Sequence, residues 1–448
     1  MERNRDSKLW FVVVTSSLGS LIEWYDLHLF GTLVTVFAFN FFPNLKDTYS
    51  FLSALITFGI AMAVRPISSL FLGWLGDSVG RKYTFLITLV LMGGSTSAIG
   101  LLPTYTQAEG FAVTLLFLLR IIQGVAFGGE YGASVLLIAE HAPLRHRGAL
   151  TSIIHCMASV GLTFGMFTNM TLEFYLGREA FFSWGWRISF FISIVLVLIS
   201  YLLRKNLNDP PAFHHLRITG QTSQSPIYES FHDKTNFRKI LLVLLTPLAG
   251  QGVLWYTAYF YSFFYLHSVV GLGYRDSSTM VFTAILLAAP FNILFGHLSD
   301  KFGRMPIILT GLFASTIILF PTYFALSFLT ENVRLSNAAS DRNLYKNLII
   351  ATLFAQSFFV TMVYGPVAAL LIDMFPMRIR FTSVSFPYHV ANGIIGGSVP
   401  LIALSLNLTT QRKDALYLGL YYPFAVCVMS FTVGLLVFRS KIFKEQHV

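Results

Sequence analysis

Charge is what this chain has least of. Only 12% of its residues are Asp, Glu, Lys or Arg, against about 25% in an ordinary soluble domain. Hydrophobic residues reach 55%, and the mean hydropathy is +0.65. No soluble fold of this length buries so much apolar surface, so lipid must cover much of it. Cysteine is nearly absent. Cys156 and Cys427 are the two, both inside apolar runs, which argues against a disulfide framework, a zinc site and a thiol catalyst. No glycine-rich phosphate loop is present, which disfavours ATP-driven transport. No nucleophile–base pair or metal cluster is visible, so neither an enzyme nor a resident metal or cofactor is expected. A cleavable leader is not expected either. Charges followed by an apolar run open the chain, but Glu23 and Asp26 lie in that run and no small-residue cleavage site follows. The run therefore reads as a retained first span.

What is present is apolar length. A span needs about 20 apolar residues, and twelve segments qualify: roughly 10–38, 50–75, 84–103, 111–140, 149–172, 186–204, 240–267, 277–298, 305–329, 347–373, 382–406 and 415–438. Gly59, Pro66, Pro247, Pro290 and Pro366 fall inside them, as membrane helices tolerate. Aromatic residues make up 16% of the chain, which suits lipid contact and interfacial belts. The long polar interruption, about 205–239, separates spans six and seven. It divides the chain into a six-helix unit at 1–203, a linker at 204–239 and a second unit at 240–448. The expected fold is an all-α membrane protein of twelve transmembrane helices in two pseudo-symmetric six-helix bundles.

A net charge of +10 would suggest nucleic acid in a soluble protein. Here topology explains it. With the N-terminus inside, the inner segments hold 20 of the 31 Lys and Arg residues. The positive-inside rule then puts both termini and the linker in the cytoplasm of a multi-pass plasma-membrane protein. The segment 330–346, with Glu331, Arg334, Asp341 and Arg342, reads as an outer loop of mixed charge.

Two repeats mark the chain as duplicated. Gly73-x-x-x-Asp77-x-x-Gly80-Arg81 returns as Gly296-x-x-x-Asp300-x-x-Gly303-Arg304, an offset of 223 residues. Glu140-x-x-Pro143-x-Arg145-x-Arg147 returns as Asp373-x-x-Pro376-x-Arg378-x-Arg380, an offset of 233. All four copies fall on inner loops, so the halves are parallel repeats related by an axis along the membrane normal.

The first of these loops resembles the signature loop of the major facilitator superfamily, and Arg120-Ile-Ile-Gln123-Gly124 is similar to its fourth-helix motif. Three longer stretches narrow the resemblance to the metabolite:proton symporter family. They are 17–26, with Glu23-Trp24-Tyr25-Asp26, then 123–133, with Glu130, and 374–385, continuing to Gly396-Gly397-Ser398-Val399-Pro400; Arg65-Pro66 accompanies them. The chain departs from that family at Asn208-Asp209-Pro210-Pro211-Ala212-Phe213, where the family tends to have Glu-x-Pro-x-Phe, and at Ser20, which replaces an often polar amide. The resemblance implies alternating access, proton coupling, and substrates among carboxylic acids, amino acids and betaines.

Few ionisable groups lie deep in the spans. An isolated charge there costs about 2.5–3.5 kcal/mol even on the lenient insertion scale, so each is a functional candidate. Glu23 and Asp26 are three apart and share a helix face. Their depth matches that of Arg120, which suggests an ion pair, either structural or opened during the cycle. Glu130 lies among Gly124, Gly128, Gly129 and Gly132 with no evident cation nearby in sequence; it is either a polar bridge between helices or a proton carrier. Glu23, Asp26 and Glu130 are therefore the proton-coupling candidates. Arg65, before Pro66, is either a partner for an internal acid or a fork for a substrate carboxylate. Arg65 and Arg120 with Gln251, Tyr256, Tyr388 and Asn392 are the substrate-binding candidates; the aromatics of spans seven and eleven are either packing or belt residues, or Gln251, Tyr256 and Asn392 line the C-terminal wall of the cavity. His155 is at most a proton relay. Asp77, Arg81, Glu140, Arg145, Asp300, Arg304, Asp373 and Arg378 form a candidate conformational latch, with Glu140 expected to meet Arg145 and Asp373 to meet Arg378.

The expected function is proton-coupled symport of a small carboxylated or zwitterionic metabolite by a monomer, whose partners are the substrate, a proton and the bilayer, with no nucleic acid. An antiporter or efflux pump on the same fold, and a membrane sensor that binds without transporting, are the alternatives. No clear antiport signature appears at 149–172, and no loop is large enough for an output domain.

Overall fold

In a bilayer every backbone polar group has to be satisfied within the chain, so apolar runs of this length become helices. The computed structural model describes residues 2–205, 207, 210–409 and 413–438. Asn208 and Asp209 of the family departure, and the basic tail 439–448, lie outside the described residues. Among the described residues there is no strand.

The spans are α1 (Glu2–Thr32, continued by Val34–Phe41), α2 (Asp47–Ser78), α3 (Arg81–Gly100), α4 (Tyr105–His141), α5 (Leu144–Leu176), α6 (Arg178–Arg204), α7 (Lys234–Val269), α8 (Tyr274–Phe302), α9 (Arg304–Leu335), α10 (Ala339–Met374), α11 (Met377–Asn407) and α12 (Leu416–Val437). The last eleven are long and apolar enough to cross a membrane by themselves; α1 is the twelfth. They form two six-helix bundles, α1–α6 and α7–α12. The loops carrying the repeats lie together at one end, called here the motif end. The segment 330–346 differs from its expected form. All but residues 336–338 continue α9 and α10 as helix. The charged side chains stabilise the extensions: the Lys346 ammonium lies 2.8 Å from Asp276, and the Arg342 guanidinium donates to the Ser336 carbonyl at 3.2 Å.

Helix ends are closed by side chains where the sequence supplies them. Thr104 and Gln107 form a reciprocal capping box at the start of α4. Asp233 accepts from the Thr235 amide at 2.9 Å and starts α7. Between α6 and α7 the chain forms two short helices, Pro211–Ile218 and Pro226–His232. α7 and α11 are wound unevenly. π-helical turns occupy Leu244–Leu248, Thr257–Tyr261 and Tyr265–Val269 in the former and Val390–Gly396 in the latter. Such turns re-aim side chains within an otherwise regular helix and recur at functional sites.

Glycine sets the closest helix approaches. α4 lies so near α2 that a Cβ on Gly124 would stand 2.5 Å from the Ala61 carbonyl oxygen. Small residues permit this spacing in lipid, where packing rather than water drives association. Gly124→Val should therefore cost about 1–3 kcal/mol of overpacking. The expected readout is a lower midpoint of thermal unfolding in detergent, and an unchanged midpoint would contradict the packing described.

Candidate functional site

At the motif end, each Gly-x-x-x-Asp copy reaches across to the other bundle. Gly73 of α2 lies against Thr382 of α11; a Cβ there would be 2.9 Å from the Thr382 Cα. That approach lets the Asp77 carboxylate accept from the Phe381 amide at 3.1 Å, and from the Thr382 amide and hydroxyl at 2.9 and 3.0 Å. The second copy repeats the geometry. Asp300 of α8 accepts from the Gly148 and Ala149 amides of α5 at 2.9 and 3.0 Å. Each carboxylate thus caps a helix N-terminus of the opposite half, where free amides and the helix dipole favour an anion.

The arginines and remaining acids extend these contacts. Arg81 lies 3.3 Å from both Asp77 and Glu140, and its guanidinium sits 3.9 Å over the ring of Phe213 from the first short helix of the linker. Arg304 lies 2.6 Å from Asp300 and 3.6 Å from Asp373. The expected pairs Glu140–Arg145 and Asp373–Arg378 do not form. The cross-half partners are the second arginines of the repeat: Arg380 lies 3.6 Å from Glu140, and Arg147 lies 2.6 Å from Asp373. The reason is local. Arg147 and Arg380 open regular helix after a short 3-10 turn, whereas Arg145 and Arg378 fall within that turn and stay exposed. Arg378 pairs instead with Glu229 of the linker at 3.1 Å.

Between the bundles, midway along the spans, lies an aromatic cluster. Tyr131 of α4 stacks on Tyr388 of α11 with centroids 3.4 Å apart and planes 3° from parallel. The Tyr388 hydroxyl meets that of Tyr364 of α10 at 3.0 Å, and His155 of α5 lies 4.2 Å from the Tyr364 ring. Trp24 of α1 faces Trp255 of α7 at 4.8 Å. Arg65 stands beside this cluster, fully buried. It points one nitrogen at the Met62 sulfur, 3.5 Å away, and lies over the Phe127 ring, while its Nε and Nη2 make no hydrogen bond. Tyr256 bonds the same sulfur at 3.2 Å. Buried His389 faces the Gly128 backbone. Gln251 and Asn392 bond each other reciprocally, both contacts at 3.1 Å. They are satisfied as a pair in this state.

The acids of α1 do not meet Arg120. Its guanidinium donates to the Gln123 side-chain oxygen at 2.6 Å and to the Phe58 and Thr57 carbonyls at 3.2 and 3.5 Å, and lies 4.3 Å from the Phe30 ring centre. A buried guanidinium needs acceptors, and carbonyls with ring faces meet that need without a carboxylate. The depth estimate behind the expected pair placed Arg120 too near Asp26; it contacts Phe30, one turn further along α1. Gln123 in turn donates to the Thr96 hydroxyl at 2.7 Å.

Glu130 has the cation that its local sequence does not show. Arg204, the last residue of α6, grips it with both nitrogens, one contact being 3.1 Å, and Thr88 donates to it at 2.9 Å. Arg204 reads in sequence as an ordinary positive flank, and no local signal separates it from its neighbours. Tyr131 is different: it adjoins Glu130 within the stretch 123–133, so its position is visible in the sequence.

The far end is bridged by aromatic contacts. Phe51 and Phe58 of α2 meet Phe264 and Phe260 of α7 at 5.6 and 5.4 Å, and the Tyr274 hydroxyl reaches the Thr32 carbonyl at 3.4 Å. The buried centre is thus held between a charged bridge and an aromatic one. MFS-type structures are known that match this chain along its length. A solved structure of the MFS proton:xylose symporter XylE bound to 6-bromo-6-deoxy-D-glucose superposes with a TM-score of 0.73 at 18% identity, covering 97% of this chain and 96% of that one. Among relatives, a proline/betaine transporter of Salmonella typhimurium is 30% identical over 439 residues, 96% of this chain and 83% of its own. The inner membrane metabolite transport protein YhjE of Escherichia coli is 34% identical over 402 residues, 88% of this chain and 87% of its own. The family model for the sugar (and other) transporter matches residues 12–225 and 217–446. The chain belongs to the sugar (and other) transporter family of the major facilitator superfamily, and it is a multi-pass membrane transporter rather than an enzyme.

Proposed function

We propose that this transporter carries a small zwitterion or carboxylic acid together with protons, by alternating access, in the plasma membrane with its motif end in the cytoplasm. The moving bodies are residues 1–203 and 240–448, joined by the linker 204–239. The observation that carries this reading is Arg65. A buried guanidinium with two unbonded nitrogens keeps the desolvation cost of those donors. A carboxylate offers the planar, two-oxygen acceptor that its fork fits. Beside it, the faces of Trp24, Tyr131, Trp255 and Tyr388 suit a substituted ammonium, which aromatic rings attract. A molecule with both groups, such as the proline or betaine named for the relatives, would separate the stacked rings and complete Arg65. Gln251 and Asn392 could open their mutual pair toward it. Proton coupling rests on Glu23, Asp26 and Glu130, three acids buried within one bundle.

Two outcomes test the substrate half of this reading. In proteoliposomes, Arg65→Ala should abolish uptake of labelled glycine betaine and proline. Arg65→Lys, which keeps the charge but loses the fork, should weaken substrate binding by at least tenfold. Uptake by either variant at the wild-type rate would contradict the assignment. Uptake should also collapse when a protonophore dissipates the pH gradient; persistence would remove protons from the mechanism.

The motif-end bridges act here as the latch of one conformational state. Hydrogen bonds to a charged acceptor contribute about 1.5–3 kcal/mol each, so removing one carboxylate unbalances the cycle. Asp77→Ala and Asp300→Ala should each increase amide hydrogen exchange at the start of α11 and α5 respectively, and slow uptake. Unchanged exchange at both helix starts would show that the bridges do not hold the state.

A further inference from the structure

The three buried acids share a compartment of their own. A narrow void of about 180 Å³ is lined by Gly19, Ile22, Glu23 and Asp26 of α1, Leu89 and Met92 of α3, Glu130 of α4 and Val197 of α6. All of these belong to the first bundle. Among the described residues, none of α2, α5 or the second bundle lines it, so it is separate from the aromatic centre where Arg65 stands. It is too narrow in this state to hold water. Both oxygens of Asp26 and one oxygen of Glu23 lack a hydrogen bond of normal geometry, which leaves proton-accepting atoms facing dry space. The Thr96 and Ser193 hydroxyls approach Asp26.

Arg204 closes this compartment toward the motif end. Its guanidinium reaches past α3, bonding the Phe85 carbonyl at 3.1 Å and lying 3.5 Å over the Phe85 ring, to hold Glu130 by both oxygens. Room for it exists because residue 19 is glycine. A Cβ there would fall within 2.7 Å of the Arg204 Cζ. The charged groups in play are few. α1 contributes Glu23 and Asp26, α6 contributes Arg204, and α2 contributes Arg65 within Coulombic reach of Glu23. α3 offers only the Thr88 and Thr96 hydroxyls. His155 of α5 and His389 of α11 face the Tyr131 side, in the other compartment.

We infer that this chamber is a proton compartment distinct from the substrate site, with Arg204 as the counter-ion that controls release from Glu130. A proton taken up by Asp26 or Glu23 passes to the Glu130 carboxylate, which becomes neutral and lets go of Arg204. Arg204 keeps its own charge. Re-forming the pair expels the proton to water at the motif end and restores the Glu130 anion. Glu23 links the two compartments in space, because it lines the chamber with Glu130 and lies within Coulombic reach of Arg65. The charge carried by the substrate on Arg65 is thereby felt where the proton sits.

This inference rests on the proton-symport reading, and one experiment separates the two. The full chain is reconstituted with glycine betaine and proline as probes, and two rates are compared: accumulation driven by a pH gradient, and exchange of labelled for unlabelled probe at equal pH. The double variant Glu130→Gln/Arg204→Gln keeps the shape of the pair and removes its charges. It should lose at least tenfold in accumulation while still exchanging probe. Accumulation at the wild-type rate overturns the inference, and so does equal loss of both rates in protein that remains monodisperse. Arg204→Lys guards against misfolding of the double variant: it should shift the pH profile of accumulation, and an unshifted profile also overturns the inference. If wild-type accumulation survives a protonophore, the symport reading itself falls, whatever the variants do.

Discussion

A charge placed among apolar helices has to be answered by groups close at hand, and the arrangement of this protein follows from how each buried charge is answered. Arg81 is answered by two carboxylates and a ring, Arg204 by Glu130, and Arg120 by carbonyls, an amide and rings. Each of these fixes one helix against another. Arg65 is the contrast, since its fork is answered in part only, by the Met62 sulfur, an aromatic face and the Tyr256 hydroxyl. The cost of leaving donors buried without acceptors is of the order of 1–3 kcal/mol. That cost can be recovered when a ligand supplies the acceptor, so an incomplete site is poised to bind.

The two ends of the molecule are held by different physics. At the motif end, carboxylates cap helices of the opposite bundle, and directional charged hydrogen bonds give a contact that is either made or broken. At the far end, phenylalanine and tyrosine rings pack across the same boundary, a softer contact that tolerates sliding. Two of the three π-helical turns of α7, Thr257–Tyr261 and Tyr265–Val269, lie on the side of that softer contact. The duplication explains why the charged bridge has two copies.

Much of this was legible in the sequence. Hydropathy marked the twelve spans, because apolar length in lipid leaves the backbone little choice but helix. The two repeats marked the motif end, and Asp77 and Asp300 do bridge the halves. Legibility fails where pairing depends on tertiary placement. Glu130 and Arg204 are 74 residues apart, and an arginine ending a span looks like any other positive flank. Arg120 shows the converse: a charge count searches for an acid, whereas the fold supplies carbonyls. In the acid-x-x-Pro-x-Arg-x-Arg repeat, which arginine crosses the interface is decided by a single 3-10 turn. Gln251 and Asn392 were expected to face a substrate, and they face each other in the state seen.

On the proposed function, Arg65 receives a carboxylate beside an aromatic surface that receives an ammonium group. Glycine betaine and choline share the trimethylammonium group, and only glycine betaine has the carboxylate. The direct measurement is the thermal stability of the purified protein with each, since a ligand that binds the folded state raises its unfolding midpoint. The account predicts stabilisation by glycine betaine, little by choline, and loss of the difference in Arg65→Ala. Equal stabilisation by both ligands, or a difference that survives Arg65→Ala, would contradict it.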